Sequence, residues 1–227
     1  MAGETPSAAD GRFDEDLGMW IWVSPRAAVA SGGALFLDRD GVIVEDPGYL
    51  SRVADIVIIP GSAGLIAEAN RLGVPVVEVT NQAGLGRGYY GWNEFRKVEE
   101  AIACELARSG AALDAVISCP YHAEGITPWR HPHHPGRKPQ PGMLLAAERL
   151  LPIDLKRSWI VGDKLDDLLA GYNAGLRGGL HVLTGQGRTQ RQAVTEWHPR
   201  DFDVRFSDQL GEATVFLHAI NISGEDK

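Results

Sequence analysis

Two carboxylates separated by one residue, Asp38 and Asp40, close the apolar run Ala34-Leu35-Phe36-Leu37 and stand just before Gly41. Four apolar residues suffice for a buried strand, and the glycine breaks it. Side chains at i and i+2 of a strand leave on the same side, so both acids emerge together at one sheet end. Their repulsion demands a cation or a shared proton. A divalent-metal site with an attacking carboxylate meets that demand; a solvated turn after a strand is the plain alternative.

Other reactive types recur at predicted strand ends. Thr80, Asn81 and a glycine-rich run to Gly88 follow the apolar stretch 74–79. Arg137 and Lys138 precede a predicted helix, and Asp163, Lys164, Asp166 and Asp167 follow the stretch 158–161. A hydroxyl, a lysine and further acids therefore join the first pair at one rim. Taken singly, Thr80 suits a turn, Lys138 a solvated surface and Asp163 a helix N-cap.

The elements that must position these residues alternate. Strands are predicted over 34–37, 74–79, 114–118, 158–161 and 180–183. Helices are predicted over 60–72, 92–108, 141–151 and 165–174, with Gly73, Gly110 and Gly175 as stops. Residues 185–200 read as polar and irregular, and 207–219 as a closing helix. Such alternation predicts an α/β fold, a mostly parallel sheet covered on both faces, with ligands at the carboxyl ends of the strands. Residues 1–32 read as an N-terminal extension whose Trp20 and Trp22 dock on the domain or a partner. Residues 33–220 read as a single domain and 221–227 as a tail.

Composition sets outer bounds. With 227 residues, 44% hydrophobic and 23% charged, the chain suits an ordinary globular domain. A formal charge of -8 argues against a general nucleic-acid binder. No apolar run approaches a membrane span, and the patch 17–23 follows acids where a secretory signal would want bases. Two cysteines do not make a disulfide framework, and Cys104 reads as a small core residue. The expectation is a cytoplasmic protein, monomeric or a small homo-oligomer, with no nucleic-acid or membrane partner.

The order Asp-x-Asp, Thr, Lys, Gly-Asp-x-x-x-Asp resembles all four motifs of the haloacid dehalogenase superfamily. That resemblance implies a three-layer Rossmann-like fold and phosphomonoester hydrolysis. It implies Mg2+ held by Asp38, the Asp40 carbonyl and Asp163. Asp38 would be the nucleophile and Asp40 the general acid/base. Thr80 and Lys138 would steady the transferring phosphoryl group. Either Asp166 or Asp167 would orient Lys138 or a metal-bound water. The intervals between Asp40 and Thr80 and between Thr80 and Lys138 leave no room for a separate cap domain.

Longer stretches are similar to one capless branch, the D-glycero-D-manno-heptose 1,7-bisphosphate phosphatases and the related histidinol-phosphate phosphatases. These stretches are 38–42, 79–88, 137–144 and 161–167. The likeness spans about residues 34–184. It implies that Arg137 meets the distal part of a sugar bisphosphate, with Asn81 and Lys164 as further substrate contacts. Histidinol phosphate is the rival substrate, and a catalytically silent binding protein is the reading from another class. Relatives of this branch bind structural zinc through Cys-x-His and Cys-x-Cys. Here Tyr121 stands where the first His belongs, and the second half has no Cys. Cys119, His122, His131, His133 and His134 remain as possible zinc ligands; a proline-stiffened loop without metal is the alternative.

Overall fold

In a computed structural model, described for residues 10–25, 32–197, 199–214, 217 and 220, short apolar runs become strands flanked by amphipathic helices. The strands are β1 (Arg12–Asp14), β2 (Met19–Val23), β3 (Leu35–Leu37), β4 (Val76–Asn81), β5 (Ala115–Cys119), β6 (Trp159–Gly162), β7 (Gly178–Val182) and β8 (Asp203–Ser207). The helices are α1 (Ser62–Arg71), α2 (Ala83–Gly86), α3 (Trp92–Arg108), α4 (Gly142–Leu150), α5 (Leu165–Ala174) and α6 (Gly187–Glu196). The sheet order is β1-β2-β5-β4-β3-β6-β7-β8.

From β3 to β8 all pairings are parallel, with Leu35 opposite both Val76 and Trp159. Alternation along each strand divides the apolar residues between two cores. Leu35, Leu37 and Val76 pack with Leu65 and Ile66 of α1 and with Phe95, Val98 and Ile102 of α3. Phe36, Val77 and Val79 pack with Met143 and Leu144 of α4, Leu168 of α5 and Val194 of α6. Three layers result, as the alternating pattern predicts. The chain runs outward from β3 through β4 to β5, then crosses back to β6 on the other side of β3. The switch point, where such sheets open a crevice, therefore lies beside β3.

Four sequence expectations are corrected. Met19–Val23 is no docked extension but a strand, paired antiparallel with β5 from Trp20–Ser118 to Val23–Ala115 and bordered by β1. Trp20 is buried there, edge-on to Phe95 at 5.1 Å. Residues 187–196, read as irregular, are α6, and a further parallel strand, β8, follows. The closing helix expected over 207–219 begins later: Ser207 belongs to β8, Leu210–Ala213 form a 3-10 turn, and among the described residues beyond it Thr214, Leu217 and Ile220 are helical. Cys104 is exposed, because the buried stripe of α3 runs through Phe95, Val98, Glu99, Ile102 and Leu106 and passes it by.

Between Asp40 and Thr80 lie a flap, pinned where Val44 bridges Ile58, and α1. Between Thr80 and Lys138 lie α2, α3, β5 and a loop. Among the described residues no separate cap stands over the carboxyl ends of the strands.

Candidate active site

Asp38 follows β3 directly, and its backbone N–H donates to the Val161 carbonyl of β6 across the switch point. Its Oδ1 accepts from the Arg39 N–H at 2.9 Å and lies 2.8 Å from Lys138 Nζ. Lys138 is buried and spends its ammonium on three oxygens: Asp38, Asp167 Oδ1 at 2.7 Å and the Val79 carbonyl at 2.8 Å. Burial works against its charge, but Asp167 and Asp38 outweigh it and raise its pKa. Of the two acids left open by the sequence, Asp167 is therefore the one that orients Lys138. Its Oδ2 accepts from the Lys164 N–H at 3.0 Å, capping α5.

Asn81 holds the same lysine from the backbone side. Its amide donates to the Lys138 carbonyl and accepts from the Lys138 N–H, both at 3.0 Å. The side chain expected to touch substrate lines the cavity and also places Lys138.

Asp163 follows β6 and is wholly buried. Its Oδ2 accepts from the Gln186 N–H at 2.7 Å, while Oδ1 accepts no hydrogen bond. Lys164 Nζ stands 3.5 Å from that bare oxygen, beyond hydrogen-bond reach, with Asp38 and Asp46 oxygens at 4.0 and 3.9 Å. Burial first, and then the charges of Asp38 and Asp167, push the Asp163 pKa up to about 7. One oxygen each from Asp38, Asp163 and Asp167 lies within 4.8 Å of the other two. Buried carboxylates that close, one with an unpartnered oxygen, fit a hard divalent cation that takes oxygen ligands.

Asp40 is anchored differently. Arg39 Nε and Nη2 reach its two oxygens at 3.0 Å, and Gln82 Nε2 donates to Oδ2 at 3.0 Å. Burial raises its pKa in spite of Arg39. Gln82 also donates to Thr80 Oγ1 at 2.8 Å, which leaves the Thr80 hydroxyl proton for another acceptor. The Tyr90 hydroxyl donates to Gln82 Oε1 and so fixes which end of the amide faces Thr80 and Asp40. Sequence reading missed Gln82 and Tyr90, since neither carries a charge or belongs to a motif with a known ligand type.

Asp38, Asp40, Gln82, Tyr90 and Lys138 line a cavity of about 190 Å³ whose lining also includes Asp46, Tyr49, Arg137 and Gln186. Arg137 is partly buried, donates to the Tyr121 carbonyl at 3.0 Å and lines the cavity.

A HAD-hydrolase-like family model matches residues 136–213. The chain is 48% identical over 210 residues to the D-glycero-beta-D-manno-heptose-1,7-bisphosphate 7-phosphatase of Mesorhizobium japonicum, covering 92% of each chain. The chain belongs to this phosphatase family of the haloacid dehalogenase superfamily. Among solved structures it is similar to a HAD-like phosphatase from Mesorhizobium loti, with 40% identity and a TM-score of 0.82, covering 98% of this chain and 100% of that one. It is also similar to the D,D-heptose 1,7-bisphosphate phosphatase of B. bronchiseptica, solved with magnesium and phosphate. There the identity is 30% and the TM-score 0.69, with 82% of this chain and 98% of that one covered.

The residues expected to hold zinc lie at the end of β5 and in the loop that follows it. Among the described residues a group of three or more ligand atoms comes together only at the three aspartates, while Cys119 Sγ lies 3.7 Å from His134 Nδ1. His134 stacks on Tyr121 at 3.9 Å, and His131 packs edge-on against His134. The Nδ1 atoms of His122, His131 and His134 accept from the backbone N–H groups of Glu124, His133 and Gly136. Cys119 is buried, which pushes its thiol pKa up to about 12.

Proposed function

We propose that the protein is a Mg2+-dependent phosphatase that removes the 7-phosphate of D-glycero-β-D-manno-heptose 1,7-bisphosphate. The observation that carries this reading is the convergence of Asp38, Lys138, Thr80 and Asp163 at the switch point, in a chain similar over 92% of its length to an enzyme of that name. A cation held by Asp38, Asp163 and the Asp40 carbonyl would supply positive charge between the nucleophile and a dianionic ester.

An Asp38 oxygen attacks phosphorus, the bond from phosphorus to the sugar oxygen breaks, and an aspartyl-phosphate forms. Asp40 gives its proton to the departing oxygen. The resulting carboxylate takes a proton from water as that water attacks the aspartyl-phosphate, releasing inorganic phosphate and restoring Asp38. Lys138 and the Thr80 hydroxyl face negative charge as it builds on the phosphoryl oxygens. Arg137 and Lys164 are the cations available to the rest of a bisphosphate, and Arg137 takes the distal phosphate.

Both acids of the first motif are present, which disfavours a silent binding protein. No helix among the described residues is long and apolar enough to cross a membrane. A cytoplasmic monomer or small homo-oligomer, working without nucleic acid, is the setting we propose.

A phosphate-release screen tests the reading. Heptose 1,7-bisphosphate should give a higher kcat/KM than fructose bisphosphate or histidinol phosphate, with release dependent on Mg2+ and abolished in Asp38→Asn. Preference for histidinol phosphate, or full activity in Asp38→Asn, would overturn it.

A further inference from the structure

Behind the acid/base carboxyl a buried run of charged groups continues into the interior, and the reaction above leaves it unused. Arg39 is only 1% exposed although it stands between the two catalytic acids in sequence. One edge of its guanidinium grips both Asp40 oxygens at 3.0 Å. Its remaining nitrogen, Nη1, donates to Glu99 Oε1 of α3 at 2.6 Å, and the group lies 5.9 Å from the centre of the Phe95 ring. Glu99 is as buried as Arg39. Its second oxygen accepts no hydrogen bond, nor does either oxygen of Glu78 on β4.

Burial first, and then the charge of Glu99, raise the Glu78 pKa well above the usual carboxylate range. An Arg fork on a carboxylate fixes its plane as well as its place. A fork on the neighbouring residue, hung from a flexible stem, would wander unless something held its far side.

We propose that Arg39 and Glu99 are positioning residues: the Arg39 fork sets the plane of the Asp40 carboxyl, and Glu99, backed by Glu78, fixes the fork from the interior. This inference rests on Asp40 being the acid/base of the proposed reaction. Its signature is selective, because the proton from Asp40 matters in proportion to the basicity of the leaving oxygen. A sugar alkoxide needs that proton; para-nitrophenolate leaves without it.

The test compares kcat/KM for the heptose bisphosphate and for para-nitrophenyl phosphate in Arg39→Lys and Glu99→Leu, each checked for folding by circular dichroism. Loss of a well-placed general acid costs on the order of 100-fold or more, so a loosened one should lower the sugar value by about tenfold or more and the aryl value by less than about threefold. Glu99→Gln keeps an oxygen for Nη1 and should recover most of the sugar value. Arg39→Lys retains a buried cation for Glu99 and carries the test if Glu99→Leu does not fold.

Equal losses on the two esters, or an undiminished sugar value in Arg39→Lys, would overturn the positioning role. The parent reading fails separately, if Asp38→Asn still turns over either ester.

Discussion

Asp163 is the residue on which the proposed cation site turns, and two glycines define its space. Gly41 and Gly185 have φ values of +95° and +52°, and a Cβ on either would stand within 2.4 Å of Asp163 Oδ2. Both positions need a residue without a side chain, for the backbone angle and for the close approach. Gly185→Ala should displace Asp163 and weaken Mg2+ binding by about 10- to 100-fold, the usual penalty for disturbing a ligand's support. Isothermal titration of Mg2+ into the variant checks this; an unchanged affinity would remove Asp163 from the cation site. At this scale the motif residues were legible from the sequence, because Asp38, Thr80 and Asp163 are acids and a hydroxyl at strand ends and Lys138 stands just ahead of a helix. Gln82 was not: its role exists only where Tyr90, Thr80 and Asp40 converge on one amide. His spacing along a loop likewise does not reveal that the His134 ring stacks on Tyr121.

At the scale of elements, helices with a clear apolar stripe and strands buried on both faces were readable. α5 ends where Gly175 adopts φ of +79°, as its sequence predicts. α6 was not readable, because only Gly187 and Val194 of its ten residues are buried and no apolar period remains. β8 is half exposed at a sheet edge and carries no continuous apolar run. The β1–β2 hairpin escaped notice because its partner, β5, is nearly a hundred residues away and pairs antiparallel with an otherwise parallel sheet. Trp20 ties that hairpin to α3 through Phe95. Trp20→Ala should cost about 3–5 kcal/mol of stability, the range for deleting a buried aromatic ring. Urea unfolding followed by circular dichroism measures it, and a loss below about 1 kcal/mol would mean that the hairpin merely rests on the domain.

For the whole molecule, acid stability bears on one buried imidazole. His181 on β7 points Nε2 at the Asp163 carbonyl at 3.1 Å, while Nδ1 has no partner. A carbonyl only accepts, so the neutral ring carries its proton on Nε2. Burial first, and then Arg191, lower its pKa from 6.5 to about 4. The unfolded chain therefore binds this proton near pH 6.5 and the native chain only near 4, so stability falls as pH drops between them, by about 3 kcal/mol from this group. Thermal melts of His181→Gln should decline less from pH 7 to pH 4 than those of the unaltered protein. Equal declines would place the acid sensitivity elsewhere.

The crossing of the chain from β5 back to β6, beside β3, has a consequence for how activity can be lost. Asp38, Thr80 and Asp163 follow or end three neighbouring strands, and Lys138 reaches them from a loop bonded to Val79 and Asn81. No single element of the fold carries the set. Turnover is then a reporter of the intact central sheet: in rising urea with Mg2+ present, phosphate release and far-ultraviolet ellipticity should vanish with one midpoint.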